Sequence, residues 1–542
     1  MVTGLRFLKE VLLGKSWKFF FNLFLTFFVA LSFISCSSSR DHVDQPIYTM
    51  ILDAGSSGTR INFYKVIPGK GGYPQISLLD SQSFDDNGIN DFLNGTGTID
   101  PETWTENTST GLPKGYSPKG CRMNAQSING GQQDILFCVL QPLLDSMSGA
   151  MTTAGVSPNQ VKVELFSTAG MRTMSNFNGG SFSESQIKNF YDTMKEYVHK
   201  KRGFAVGDFR TSNGNSEEGL WTWINLNDQY FNAFGGNQKY YKGSPTTRGN
   251  FEVGGSSMQV AFPTSRIPPG DKNNVYPVKI NGYSYNVFSK TFLGLGGDDM
   301  RKYMRAYGYG GKPDSSYTGR DCFGSAANNM NTKEDSGVAL FNAPFFPSVS
   351  VPRSGNPTGV VWTSIVSNSE PSPLVLKAPG EYKLSDCSTK YGNVINAVIG
   401  LPRNNYGTNH DGVKASYDDF IKKIGASNAS FVGLDGFYWP AKSLGLAPDT
   451  QLKSNFSREQ FVSALASICP DGGAGPSGKK LKAVRVCPDA AYMNHFLWNF
   501  SGSGGLFTSN TGAKFEGVVP NSYKGESILS WSRGYLLQKY AN

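Results

Sequence analysis

The stretch that most constrains this chain is residues 47–64, IYTMILDAGSSGTRINFY. Ile47 to Leu52 is apolar and β-branched, the pattern of a buried strand. Asp53-Ala54-Gly55-Ser56-Ser57-Gly58-Thr59-Arg60 interrupts it with two glycines and three hydroxyls, and Ile61 to Ile67 resumes as a second strand. A hairpin with such a tip presents backbone N–H groups and short donors that suit phosphate oxygens. Asp53 places a carboxylate beside them, where a hydrated metal ion can sit. A tight turn alone also accounts for the glycines of one such loop.

The plan recurs in residues 250–262, NFEVGGSSMQVAF. An apolar entry carries Glu252, Gly254-Gly255-Ser256-Ser257 follows, and Met258 to Phe262 leaves as a strand. Two loops of one design in one chain point to two related lobes that clamp one polyphosphate between them. The alternative is coincidence between two Gly/Ser turns.

Export is the second constraint. Arg6, Lys9, Lys15 and Lys18 precede the apolar run 19–35, FFFNLFLTFFVALSFIS. That is the build of a secretory signal. It ends at Phe33-Ile34-Ser35-Cys36, similar to a lipoprotein cleavage box with Phe where Leu is usual. An uncleaved anchor is the alternative, because the run nearly reaches spanning length. Either way residues 1–36 are expected to direct export and to tether the chain to a membrane, facing the periplasm or cell exterior. Removing 1–35 takes away four bases and one acid, so the net charge falls from +9 to +6. So mild a charge argues against a nucleic-acid partner.

Beyond Cys36 six cysteines remain: Cys121, Cys138, Cys322, Cys387, Cys469 and Cys487. An even number outside the cytosol predicts three disulfides, and proximity in sequence favours Cys121–Cys138, Cys322–Cys387 and Cys469–Cys487. The four histidines, His42, His199, His410 and His495, are scattered singly, which argues against a zinc or His-triad mechanism. Five Asn-X-Ser/Thr triplets, at Asn94, Asn107, Asn428, Asn455 and Asn499, matter only in a eukaryotic source.

Along the rest of the chain, 37–46 reads as a polar tether. Residues 131–149 have helical spacing, with a kink expected at Pro142. Val161 to Phe166 reads as a buried strand that runs into Ser167-Thr168-Ala169-Gly170-Met171-Arg172. Residues 184–201 form an amphipathic helix with a Ser183/Gln186 capping box. Glu217 and Glu218 open another helix, where acids also suit the dipole. Strands are expected over 279–293, a short helix from Ser416 to Ile424, a second capping box at Ser457/Gln460, and helices over 488–498 and 528–540. Residues 310–336 and 345–380 are Gly/Pro/Ser/Asn-rich and irregular.

Five segments in order, DAGSSGTR at Asp53, STAGMR at Ser167, EEGLWTWINLN at Glu217, EVGGSSMQ at Glu252 and SWSRGY at Ser530, resemble the conserved regions of the ecto-apyrases, the nucleoside triphosphate diphosphohydrolases. The resemblance implies an α/β fold of two RNase H-like lobes, as in actin and hexokinase, with an active-site cleft between them. It implies a Mg2+- or Ca2+-dependent hydrolase that releases terminal phosphate from nucleoside tri- and diphosphates. Glu218 matches the general base that activates water, and Ser257 and Gln259 match the residues that hold that water. Asp53 and Glu252 match the carboxylates that hold the hydrated metal, with Glu252 one methylene longer than the family's Asp. Thr168 and Arg172 match a hydroxyl and a guanidinium near the transferred phosphate. Ser56, Ser57, Gly58 and Thr59 match one phosphate grip, and Gly254, Gly255 and Ser256 the other. Trp531 matches a base-stacking aromatic, and Tyr438, in GFYWP, is a candidate for the opposite face. Core packing is the alternative for both rings.

The expected organisation is therefore a leader and anchor (1–36), a tether (37–46), lobe I (45–213 with 521–542) and lobe II (214–520), acting as a monomer on nucleotides. An exopolyphosphatase of the same superfamily would share the loops but not the EEG segment or the stacking aromatics. A sugar or acetate kinase of this fold would need an acceptor site and cytosolic ATP. A surface protein that binds nucleotide or glycan without turnover would keep the loops alone.

Overall fold

A computed structural model of the chain describes residues 45–541 except 57, 70–72, 85–87, 94–134, 176–181, 236–245, 265–273, 302–303, 305–321, 323–349, 354–355, 362–381, 400–423, 425–426, 470–482, 499–505, 508–511, 524–525 and 528. The leader, most of the tether, Ser57, the Cys121–Cys138 pairing, the triplets at Asn94, Asn107 and Asn499 and nearly all of the helix expected from Ser416 lie outside the described residues.

Lobe I is a five-stranded sheet. β1 (Ile47–Ala54), β2 (Thr59–Ile67), β3 (Gln75–Phe84), β4 (Val161–Ser167) and β5 (Ala205–Thr211) lie in the order β3-β2-β1-β4-β5. β1 to β3 are antiparallel neighbours, while β4 runs parallel to β1 and β5 to β4. β1 is almost continuously apolar because both its faces are covered. Met50, Leu52 and Ala54 enter one core with Ile61 and Phe63. Ile51 enters another with Tyr64, Val66 and Phe166.

Lobe II repeats the plan. β6 (Gly249–Val253), β7 (Ser257–Pro263), β8 (Val275–Ile280), β9 (Tyr283–Leu293), β12 (Ser430–Asp435) and β13 (Lys514–Val518) lie in the order β13-β12-β6-β7-β9-β8. β12 pairs parallel to β6, as β4 does to β1. Without the edge strand β8, both sheets have one connectivity, so these are the two expected RNase H-like lobes. The strands expected over 279–293 are the end of β8 and all of β9, joined in a hairpin turned at Asn281-Gly282, both at positive φ. A small hairpin of β10 (Ser350–Arg353) and β11 (Asn356–Val361) stands apart from the main sheet.

Two helices join the lobes. α5 (Gly219–Gln229) follows α1 (Gln141–Ser146), α2 (Ser148–Ala154), α3 (Ala169–Met174) and α4 (Glu184–Glu196), and packs on β6, β7 and β9. The last helix, α10 (Trp531–Tyr540), is preceded by α6 (Leu384–Ile399), α7 (Tyr438–Ser443), α8 (Arg458–Ile468) and α9 (Ala483–Trp498), and lies against α5. A Cβ on Gly534 would sit 1.9 Å from the Trp221 carbonyl oxygen, so only glycine allows the helices to approach so closely. The core between the lobes holds Ile51, Tyr64 and Phe166 from lobe I, Ala261 and Val287 from lobe II, and Trp221, Trp223, Trp531 and Leu536 from the two helices.

Three details differ from expectation or refine it. Pro142 lies in the first turn of α1, after a π-helical turn at Ile135–Leu140, so it starts a helix instead of kinking one. This stretch is long and apolar enough to cross a membrane, but Ile135, Leu136, Val139 and Leu140 are buried in the lobe I core. The last helix begins at Trp531, capped by the Ser530 side chain, and not at Ile528. Both expected capping boxes are present, and disulfides join Cys322 to Cys387 and Cys469 to Cys487.

Candidate active site

The two glycine–hydroxyl loops occupy matching places in the two lobes. In lobe I the hairpin register sets Asp53 opposite Arg60 and Ala54 opposite Thr59. In lobe II it sets Glu252 opposite Gln259 and Val253 opposite Met258. The strand behind each hairpin is held by the same bond. Thr168 N–H donates to the Ala54 carbonyl at 3.0 Å, and Gly436 N–H to the Val253 carbonyl at 2.9 Å. Each loop is also backed by a glycine at a position with no room for a side chain. A Cβ on Gly170 would lie 2.9 Å from Ser56 Cα, and one on Gly296 2.3 Å from the Gly255 carbonyl. Thr59 is buried with its hydroxyl unpartnered among the described residues.

The junction between β5 and α5 brings in the acid pair, and its two members are used differently. Glu217 takes a forked pair of bonds from Arg210, at 2.7 and 2.8 Å, and a bond from Asn213 N–H at 2.7 Å. Glu217 thus anchors the turn, and Glu218 faces inward, 7% exposed. Arg172 Nη2 donates to Glu218 Oε2 at 2.6 Å and reaches Ser257 Oγ at 3.5 Å, while its Nη1 donates to Ser212 Oγ at 2.9 Å. Gln259 Nε2 donates to Ser257 Oγ at 2.5 Å. Gln259 Oε1 is buried and has no partner among the described residues. A buried acceptor left open is costly unless a donor such as water reaches it. Thr168, 6% exposed, precedes the helix that carries Arg172. Glu218, Arg172, Ser257 and Gln259 therefore form one connected group drawn from both lobes and the linking helix.

A set of carboxylates lies beside that group. Burial raises Asp53 to about 7, against the pull of the Arg60 charge, and the negative charge of Glu218 adds to the rise. Burial also holds Glu252 well above the usual carboxylate range, reinforced by Glu218, Asp435 and Asp53 and opposed by a 2.6 Å bond from Thr222 Oγ1. Asp435, at the end of β12, is raised by burial too. Asp53 and Glu252 thus feel each other across the cleft, from lobes whose sheets are separate. Among the described residues no three His, Cys, Asp or Glu side chains converge closely enough to hold an ion directly. The donor set is nevertheless all oxygen, and its carboxyls oppose one another's ionisation, a strain that a hard divalent cation bound largely through its own waters would relieve.

The aromatic expectations meet a different placement. Trp531 is 5% exposed, stacks on Trp221 with ring centroids 5.4 Å apart, and lies close enough to Asp53 to favour its charged form. Tyr438 is 3% exposed, and its hydroxyl donates to Asp449 at 2.8 Å. Both rings are therefore packed in cores, which is the alternative the sequence left open, and neither offers a face to a base. The exposed ring is the next residue, Trp439, half open to solvent, whose Nε1 donates to Asp435 Oδ1 at 3.0 Å. Thr222, Asp435 and Trp439 were not anticipated. A signal for Asp435 was present, since Leu434-Asp435-Gly436 echoes Leu52-Asp53-Ala54-Gly55.

Comparisons with known proteins stand beside this duplicated loop geometry. Residues 133–348 match the GDA1/CD39 (nucleoside phosphatase) family. The chain is 24% identical over 392 residues to human ectonucleoside triphosphate diphosphohydrolase 3, covering 69% of this chain and 63% of that protein. It is 26% identical over 275 residues to human ectonucleoside triphosphate diphosphohydrolase 2, covering 50% of this chain and 46% of that one. The chain thus spans between about half and two thirds of the length of these curated relatives. Among solved structures, a nucleoside triphosphate hydrolase from Neospora caninum superposes with a TM-score of 0.51 at 14% identity, covering 95% of this chain and 97% of that one, so the two share the fold. The stretch that resembles this family contains Arg172, Glu218, Glu252, Ser257 and Gln259.

Proposed function

We propose that this chain is an exported, membrane-tethered apyrase that hydrolyses the terminal phosphate of nucleoside tri- and diphosphates with the help of Mg2+ or Ca2+. The observation that carries the reading is the Arg172–Glu218–Ser257–Gln259 group, buried between two phosphate loops of one design. Phosphoryl transfer needs an in-line water, neutralised equatorial oxygens and a stabilised leaving group. Ser257 Oγ and the open Gln259 Oε1 orient the water, and Glu218 takes its proton. Arg172 fixes the Glu218 carboxylate and offers its guanidinium edge to the transferred phosphate. Loop N–H groups and the hydroxyls of Ser56 and Thr59 grip one phosphate, and Gly254, Gly255 and Ser256 another. Asp53 and Glu252 would hold the hydrated cation, which when bound neutralises charge on the phosphate chain. Trp439 offers a ring to the base, an interaction that tolerates any nucleobase.

The deciding experiment is phosphate release from nucleoside tri-, di- and monophosphates with Mg2+, with Ca2+ and with chelator. Release from tri- and diphosphates but not monophosphates, lost with chelator, supports the reading. Release from long-chain polyphosphate that outcompetes ATP would transfer the chain to an exopolyphosphatase role. No release from any nucleotide would leave a binding protein.

A further inference from the structure

One guanidinium in the cleft has no task in the mechanism above. Arg60 leaves the first phosphate loop on β2, directly across the hairpin from Asp53. Paired residues of an antiparallel ladder project to the same face, so Arg60 shares the face of Asp53, which looks into the cleft. It is partly exposed, and among the described residues no hydrogen bond or ion pair engages its side chain. The other arginines near the cleft are committed: Arg172 to Glu218 and Ser212, and Arg533 to Asp228 and Asn225. The internal symmetry adds weight. Arg60 is opposite Asp53 in lobe I, as Gln259 is opposite Glu252 in lobe II. One member of this pair reaches the Ser257 hydroxyl beside the base, and the other stands at the same place on the opposing wall.

We propose that Arg60 is a substrate-binding residue whose guanidinium takes a phosphate that is not transferred, on the side of Asp53 away from Glu218. Arg60 is near enough to Asp53 and Asp435 for both to feel its charge, Asp435 takes a bond from the exposed Trp439, and Glu218 is gathered with Arg172 and Ser257. Position and chemistry agree. A planar fork matches two phosphate oxygens, and an arginine without a carboxylate partner keeps its donors for the ligand. Asp53 and Asp435 both feel the Arg60 charge, although neither bonds to it among the described residues. The proposal rests on the nucleotide reading for the identity of the ligand, but its phosphate chemistry can be tested separately.

Binding of ADP and of inorganic tripolyphosphate to the wild type, Arg60→Ala, Arg60→Lys, Asp435→Asn and the Arg60→Ala/Asp435→Asn pair, measured by calorimetry with Mg2+, tests it. Losing charged hydrogen bonds to phosphate should weaken both ligands about ten- to a hundredfold in Arg60→Ala. Arg60→Lys should recover part of that, and melting temperatures should stay level. Unchanged affinity for both ligands in a folded Arg60→Ala would overturn the proposal. So would an equal loss in Asp435→Asn with no further loss in the double variant, because Arg60 would then act as a latch to Asp435. If the wild type binds tripolyphosphate but releases no phosphate from nucleotides, the apyrase reading fails and the Arg60 comparison still stands.

Discussion

Replacing Glu218 by Gln keeps the shape of the side chain and an acceptor for Arg172 but removes the base. General-base catalysis contributes about 10²- to 10⁴-fold, equivalent to about 3–5 kcal/mol in the barrier. Phosphate release from ATP should fall by that factor while nucleotide still binds, because the two loops and Arg60 are untouched. Glu218→Ala removes the acceptor as well. Arg172 and Glu218 are 8% and 10% exposed at the side chain, so the alanine strands a buried guanidinium. Breaking a buried pair in this way costs about 3–5 kcal/mol, and the bonds that Arg172 keeps to Ser212 and Ser257 place this case at the lower end. Adding Arg172→Met to Glu218→Ala should therefore recover part of the lost stability without recovering activity. Steady-state phosphate release, isothermal nucleotide binding and urea unfolding measure the three quantities. A folded Glu218→Gln that keeps more than a tenth of the wild-type rate would remove Glu218 from the base role. A Glu218→Ala as stable as Glu218→Gln would show that the ion pair does not matter to the fold.

Three further outcomes follow from particular contacts. Trp439→Ala should weaken nucleotide binding by about 1–3 kcal/mol, the worth of one stacked base, while leaving tripolyphosphate binding unchanged; equal losses for both ligands would exclude stacking. His495, buried in α9 with its Nδ1 3.4 Å from the Ser388 hydroxyl, is lowered by burial from 6.5 to about 4. Between those values the unfolded chain binds a proton that the folded chain refuses, so this contribution is whole above pH 6.5 and is lost as pH falls towards 4, with a ceiling of about 3 kcal/mol. Urea unfolding from pH 7 to 4 should show that slope in the wild type and a flatter one in His495→Gln. Gly534→Ala would drive a methyl into the Trp221 carbonyl and part α5 from α10, costing about 3 kcal/mol. Thermal unfolding reads it, and an unshifted midpoint would mean that the helices separate freely.

What could be read from the chain before its fold was known divides along a physical line. The two hairpins, their loops and the acids Asp53 and Glu252 beside them were legible because each is written in a dozen contiguous residues whose local chemistry needs no distant partner, whereas Glu218 was singled out from its neighbour Glu217 only by the family resemblance. β12 was not, although its end brings Asp435 and Trp439 to the cleft: SFVGLD is short, and it becomes a central strand only by pairing with β6, almost 180 residues earlier. The roles of Trp531 and Tyr438 were undecidable for a related reason. A tryptophan that stacks on a base and one that stacks on Trp221 look the same in sequence, and which occurs depends on where α5 crosses α10. Arg60 falls between these cases. Aligning DAGSSGTR with EVGGSSMQ puts Asp53 over Glu252 and Arg60 over Gln259 with no structure at all. Equal loop lengths set equal registers, so the alignment already says that both residues stand across a hairpin from a cleft carboxylate. Only the coordinates add that Gln259 is tied to Ser257 while Arg60 is tied to nothing among the described residues, and that difference turns a repeated motif into an assignment.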